Sequence, residues 1–264
     1  SISKRSGIIE RYKMFASLIV APITVGFGGS VGLQGPAVST GAALGSNVAR
    51  LFHMNAKTRM LLIGCATAGA MSSMFKAPVA AIVFAIEIFS LDLVFASLVP
   101  LLLASIAAVI TSYFFRGTDV LFSFELLDAW RVKDIVFYVL LGLATGIASV
   151  YFSKMYFLIT RFFSRFSNAY IKIGIAAIAI GFMLYLFPPL YGEGYGLINN
   201  LLNGNTEVAL SGIQYQIDFN NIWMVIVILL IIAVFKAIAM TTTFAAGGVG
   251  GIFIPTLFMG SALG

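Results

Sequence analysis

The sequence predicts an all-α polytopic membrane protein that carries an internal repeat, and three observations lead there. Of its 264 residues 60% are hydrophobic and only 10% charged, with a mean hydropathy of +1.02, whereas a soluble domain carries roughly 25% charged residues. Apolar stretches recur along the whole chain instead of once at its start, unlike a signal peptide. Finally, a glycine-rich segment occurs twice at an offset of 219 positions (28 to 247). Residues 28–45 read GGSVGLQGPAVSTGAALG and residues 247–264 read GGVGGIFIPTLFMGSALG, identical at eight of eighteen ungapped positions, including Gly28/Gly247, Gly32/Gly251 and Pro36/Pro255. Widely spaced, similar segments of this kind point to an internally duplicated membrane protein in which paired, interrupted helices meet at a binding site near the bilayer midplane.

Apolar runs fall at about 14–25, 36–52, 58–74, 78–90, 93–115, 135–160, 170–188, 221–243 and 255–264. A spanning helix needs about 20 apolar residues, so several of these are too short to cross. Those that start at Pro36, Pro78 and Pro255 follow glycine-rich or turn-like breaks. Proline suits a first helical turn, where its missing N–H has no intrahelical partner to lose. The polar stretches 116–134 and 203–220 read as surface loops, the second opening with turn residues and then alternating. Ser1 opens the chain without a Met and Gly264 closes it inside an apolar run. The expectation is a central piece of one transmembrane domain, with flanking helices missing at both ends.

Charge and reactive residues narrow the function classes. Lys and Arg gather at 4–13, 50–59, 131–133 and 154–172, at or near the ends of apolar runs. Snorkelling and the positive-inside bias account for the net charge of +6 without a nucleic-acid partner. Cys65 sits alone in an apolar run and His53 alone in a polar connection, so neither a disulfide nor a metal site is expected. Neither glycine run fits a nucleotide-loop pattern in a strand-to-helix setting. No cofactor is expected, and the protein is not expected to be an enzyme.

The glycine breaks are expected to bind an anion. A helix N-terminus carries about half a positive elementary charge and directs free N–H groups outward. Glycines at 28, 29, 32 and 35, and at 247, 248, 250 and 251, let backbone approach a ligand with no Cβ in the way. Gly41, Gly45, Gly260 and Gly264 lie inside helices, where close helix packing is the expected role.

These residues also carry a family resemblance. GSVGLQGP at 29–36 resembles the GxxGxEGP segment of the CLC chloride channels and chloride/proton antiporters, and GGIFIP at 250–255 resembles their GxFxP segment. FKAPVAAIVFAIE at 75–87 is similar to the family's intervening helix start, and 236–243 to the segment before GxFxP. The resemblance implies a CLC-like inverted-repeat bundle of tilted and interrupted helices, with about 1–134 closing the first half and about 135–264 opening the second. It implies a homodimer in the lipid bilayer, expected in the plasma (cell inner) membrane, that moves chloride or another small monovalent anion. It also implies that the Ile252 and Phe253 amides hold a central anion, with Gly251 and Ile254 flanking. Amides at Leu33, Gln34 and Gly35, after Gly32, would form a more external site.

Three departures from the family pattern bear on mechanism. Gln34 stands where most members have a glutamate gate, and Leu33 where a basic residue is common. Glutamine has nearly the shape of glutamate but cannot ionise. Ile88 stands at the antiporters' inner proton-relay position, and no neighbouring acid in the sequence replaces either carboxylate. Passive anion conduction is therefore expected, with coupled exchange by another proton route, or a fluoride-selective relative, as alternatives. Glu87 is expected to be a buried acid, because it lies well inside an apolar run where a charge is costly. Lys154 and Lys236 are expected near interfaces or water-filled spaces, and Lys76 at a helix boundary.

Overall fold

A computed structural model describes residues 7–89, 95–122, 131–214 and 218–264. Lys4 and Arg5, the start of the run at 93–115, residues 123–130 of the first polar stretch and residues 215–217 of the second lie outside the described residues. The helices are α1 (Lys13–Gly26), α2 (Gln34–Leu51), α3 (Ala56–Phe75), α4 (Pro78–Phe89), α5 (Phe95–Arg116), α6 (Ile135–Ser164), α7 (Ala169–Leu186), α8 (Tyr195–Leu202), α9 (Thr206–Ala209), α10 (Ile222–Ala245) and α11 (Phe253–Leu263). Short 3-10 turns fall at Val132–Asp134 and Pro188–Leu190. Among the described residues the one β feature is an isolated antiparallel bridge between Gly32 and Gly251.

The helices occur because apolar composition leaves the backbone no partner but itself in lipid. Four of them are long and apolar enough to cross a membrane: α5, α6 with the turn before it, α7 and α10. Their large side chains are mostly uncovered by protein, as at Phe114, Ile147, Ile178 and Trp223. Polar caps set the starts of α3, α7 and α10: Asn55 accepts from the Thr58 N–H, Asn168 from Tyr170 and Asn221 from Trp223. The second polar stretch opens with the expected turn at Asn203 and Gly204, but Thr206–Ala209 then forms a helical turn where alternation is expected.

The chain divides into two compact units that do not follow chain order: residues 1–21 with 34–121, and residues 22–33 with 122–264. In the first, α2 packs on α3 through the glycines expected to permit it. A Cβ on Gly41 would meet the Ala66 carbonyl at 2.8 Å, and one on Gly45 would meet that of Leu62 at 2.5 Å. The same expectation fails for Gly260, whose missing Cβ faces open space, and Gly264 reaches only ordinary contact distances. α3 and α5 are joined by hydroxyls, Ser72 donating to the Ser105 carbonyl (2.9 Å) and Ser112 to that of Ser73 (2.7 Å). Lys76 closes α3 in a left-handed conformation (φ 53°) and donates to the Gly117 carbonyl (2.6 Å), the helix-boundary anchor expected of it.

In the second unit α10 is the central helix, touching α6, α7 and α11. Ala233 and Ala237 of α10 pack with Met259 and Ala262 of α11, flanked by Tyr151 and Phe152 of α6. α8 lies against α11. This unit also holds both glycine breaks.

Candidate functional site

The repeat visible in the sequence is a repeat of geometry. α1 ends at Gly26 and α10 at Ala245, while α2 begins at Gln34 and α11 at Phe253, so matching ends differ by the same 219 positions as the glycines (28 to 247). After each ending helix a glycine takes a left-handed conformation, Gly28 at φ 96° and Gly247 at φ 103°, a region that glycine enters without a Cβ clash. The next glycine turns the chain back. Gly29 N–H donates to the Thr24 carbonyl (2.8 Å) and Gly248 N–H to that of Thr243 (2.9 Å).

The two breaks then bind one another reciprocally. Ser30 N–H donates to the Thr243 hydroxyl (3.3 Å), and its counterpart Val249 N–H donates to the Thr24 hydroxyl (3.2 Å). Gly32 N–H donates to the Gly251 carbonyl (2.9 Å), and Gly251 N–H to that of Gly32 (2.6 Å). Equivalent groups exchanging equivalent bonds define a local two-fold axis between Gly32 and Gly251. It satisfies backbone that a helix no longer supports.

The small residues are required here. A Cβ on Gly250 would collide with the wholly buried Val31 side chain, and one on Gly248 would lie 2.7 Å from the Thr243 methyl. Gly250→Ala is therefore expected to destabilise the protein by about 1–3 kcal/mol, the usual cost of overpacking. A lowered thermal midpoint in detergent, beside an unchanged Gly260→Ala control, would check it.

The residues expected at the site divide between helix starts and the segments before them. Gly32 and Gly251 form the bridge, Leu33 and Ile252 follow it, and Gln34 and Phe253 are the first residues of α2 and α11. Gln34 is 1% exposed, Gly35 is partly covered and Ile254 is wholly buried. Ile252 lacks a side-chain cap, and among the described residues no protein group accepts from its N–H.

The equivalent amide, Leu33, differs. It donates at 2.7 Å to Oε1 of Glu193, a residue 160 positions away in sequence. An acid thus stands beside the first glycine break although none is near it in sequence. Glu193 lies in the turn before α8, between Gly192 (φ 58°) and Gly194 (φ 84°). That turn is tied down on several sides. Ser30 Oγ donates to the Leu190 carbonyl (2.7 Å), and Tyr191 OH to that of Gly26 (2.7 Å). Lys236 Nζ donates to the carbonyls of Leu190 (3.2 Å) and Gly192 (2.9 Å).

Lys236 is not at an interface, as expected, but wholly buried in α10, with its ammonium 4.7 Å from the Phe258 ring centroid. A buried cation needs fixed acceptors. The two carbonyls and the ring face supply them, and the Glu193 charge also bears on it.

Two further expectations meet the structure of the first unit. Glu87 is exposed and not a buried acid: α4 buries Ala81, Ile82 and Ala85, and at 100° per residue Glu87 falls on the opposite face. Ile88 lines a cavity of about 610 Å³ with Gly35, Ser39, Glu10 and Lys13. Glu10 and Lys13 pair at 3.3 Å on its wall. Lys154 is exposed on α6, and His53 is exposed after α2.

Fold and site together define a multi-pass membrane protein built on an inverted repeat, with interrupted helices meeting through their glycine breaks. The chain belongs to the family described as voltage gated chloride channel, whose model matches residues 2–264. It is 26% identical to the voltage-gated ClC-type chloride channel ClcB of Salmonella typhimurium, over 96% of this chain and 55% of the relative. With the H(+)/Cl(-) exchange transporter ClcA of Vibrio cholerae it shares 28% identity over 91% of this chain and 49% of the relative. The chain thus spans about half the length of these curated relatives. In fold it matches the crystal structure of a CLC-type fluoride/proton antiporter, with a TM-score of 0.72 at 22% identity, covering all of this chain and 66% of that one.

Proposed function

We propose that the protein conducts chloride or a similar small monovalent anion passively across the membrane, along a path lined by backbone amides at the two glycine breaks. The observation that carries this reading is the reciprocal pairing of the breaks at Gly32 and Gly251, which holds the next amides, those of Leu33 and Ile252, in equivalent positions just before a helix. Amides at helix starts attract anions without a full positive charge, so an anion is held and still released. Amides at 33–35 and 252–253 are the proposed donors, with Gly32, Gly251 and Ile254 shaping the path.

Uncoupled flow is favoured over exchange by the two side chains that cannot carry a proton. Gln34 opens α2, and Ile88 presents an apolar surface to the cavity it shares with Gly35. Family membership supports a homodimer in the lipid bilayer, the plasma membrane being the proposed one. The test is chloride efflux from liposomes containing the full-length protein. Efflux is expected down the gradient once a potassium ionophore compensates charge, and its absence would refute conduction. In the same assay Gln34→Glu is expected to introduce a competing carboxylate, so that flux falls as pH rises through its titration, while the parent protein does not acquire that dependence from position 34.

A further inference from the structure

Glu193 is the one acid whose carboxylate is held at a glycine break among the described residues, and its sequence position gives no reason to expect it there. Its oxygen sits 2.7 Å from the Leu33 nitrogen, a distance typical of a charge-assisted hydrogen bond. Leu33 is the last residue before α2, so its N–H points from the positive end of a helix. A carboxylate there meets the same donor that a halide would.

The placement is built. Glycines with positive φ on both sides let the turn project Glu193. Ser30, Tyr191 and Lys236 tie the turn to the glycine break and to α10. A side chain presented by so constrained a turn loses little freedom on binding the amide. Across the local two-fold the matching amide of Ile252 meets no such acid among the described residues. The site is therefore asymmetric although the repeat is symmetric.

We propose that Glu193 is a tethered anion: its carboxylate occupies the Leu33 amide and must leave before a permeant anion can bind there. Glu193 thus sets affinity and rate at one end of the path while the amides near Ile252 work without it. The inference rests on the anion-conduction reading above, which it deepens by naming a competitor within the chain.

Full-length parent protein, Glu193→Gln and Glu193→Ala would be compared by isothermal titration with chloride and by chloride efflux from liposomes. Glutamine keeps the size of the side chain and a carbonyl for the Leu33 N–H, so Glu193→Gln removes the charge and turns the other oxygen into an amide donor. Alanine vacates the amide. Chloride binding is expected to tighten by about tenfold or more in Glu193→Ala, with Glu193→Gln between it and the parent, and efflux should rise in both. The direction of change is diagnostic, since loss of a merely structural tether would weaken binding or leave it alone. Unchanged or weaker binding in well-folded Glu193→Gln, with the parent still conducting, would overturn the tethered anion and spare the conduction reading. Absence of chloride binding and efflux in all three proteins would overturn both.

Discussion

Ile252→Pro is expected to weaken chloride binding by about 1.5–3 kcal/mol, roughly 10- to 160-fold, the range for losing one hydrogen bond to a charged group. Proline removes one backbone donor and leaves the other amides in place. The position tolerates it: Ile252 has φ −86°, close to the proline range, and precedes the first helical residue, while Gly251 before it is held in the bridge. Proline one residue later is the poorer test, although Phe253 opens the helix. It would disfavour the αR conformation that Ile252 holds, mixing backbone strain with donor loss. Ile252→Ala keeps the amide and should bind nearly as the parent does. Titration calorimetry on both variants separates the backbone from the side chain; equal affinities for Ile252→Pro and the parent would remove this amide from the site.

Gly194→Ala is expected to be the most disruptive single methyl. The residue sits at φ 84°, where an alanine costs about 1–2 kcal/mol. Its Cβ would also run into the Phe258 ring, which is fully buried and carries the Lys236 ammonium over its face. Overpacking of that kind adds about 1–3 kcal/mol, so about 2–5 kcal/mol in all. Because the same turn presents Glu193, damage there should also disturb the Leu33 contact. A thermal midpoint in detergent indistinguishable from the parent's would show that the turn is looser than its ties suggest.

Much of this arrangement is legible in the sequence, for a physical reason. Lipid forces each long apolar run into a helix, and all the runs read from hydropathy have a helix at nearly the same bounds, down to the helices that open at Gln34 and Phe253. The repeated glycines mark the breaks because only residues without a Cβ allow the left-handed turns at 28 and 247 and the close approach of Gly250 to Val31.

What hydropathy does not encode is direction. Glu87 belongs to an apolar run but projects from the face of α4 opposite Ala81 and Ala85. Lys236 belongs to another and is buried, because carbonyls from a distant turn solvate it. The turn at 191–194 and the short helices α8 and α9 lie between apolar runs and are too short to stand out by hydropathy. The cue that could have singled out Glu193 is its placement between two glycines in GEGYG. Its partner, 160 positions away, becomes visible only in the folded chain.

The central claim is that anions move without obligatory proton exchange, and simultaneous recording of chloride efflux and internal pH in liposomes containing the full-length protein tests it most directly. With a potassium ionophore present, chloride should run down its gradient while internal pH stays flat. Uphill proton movement driven by the chloride gradient at a fixed ratio would contradict the account. It would make the protein an exchanger whose proton path avoids positions 34 and 88.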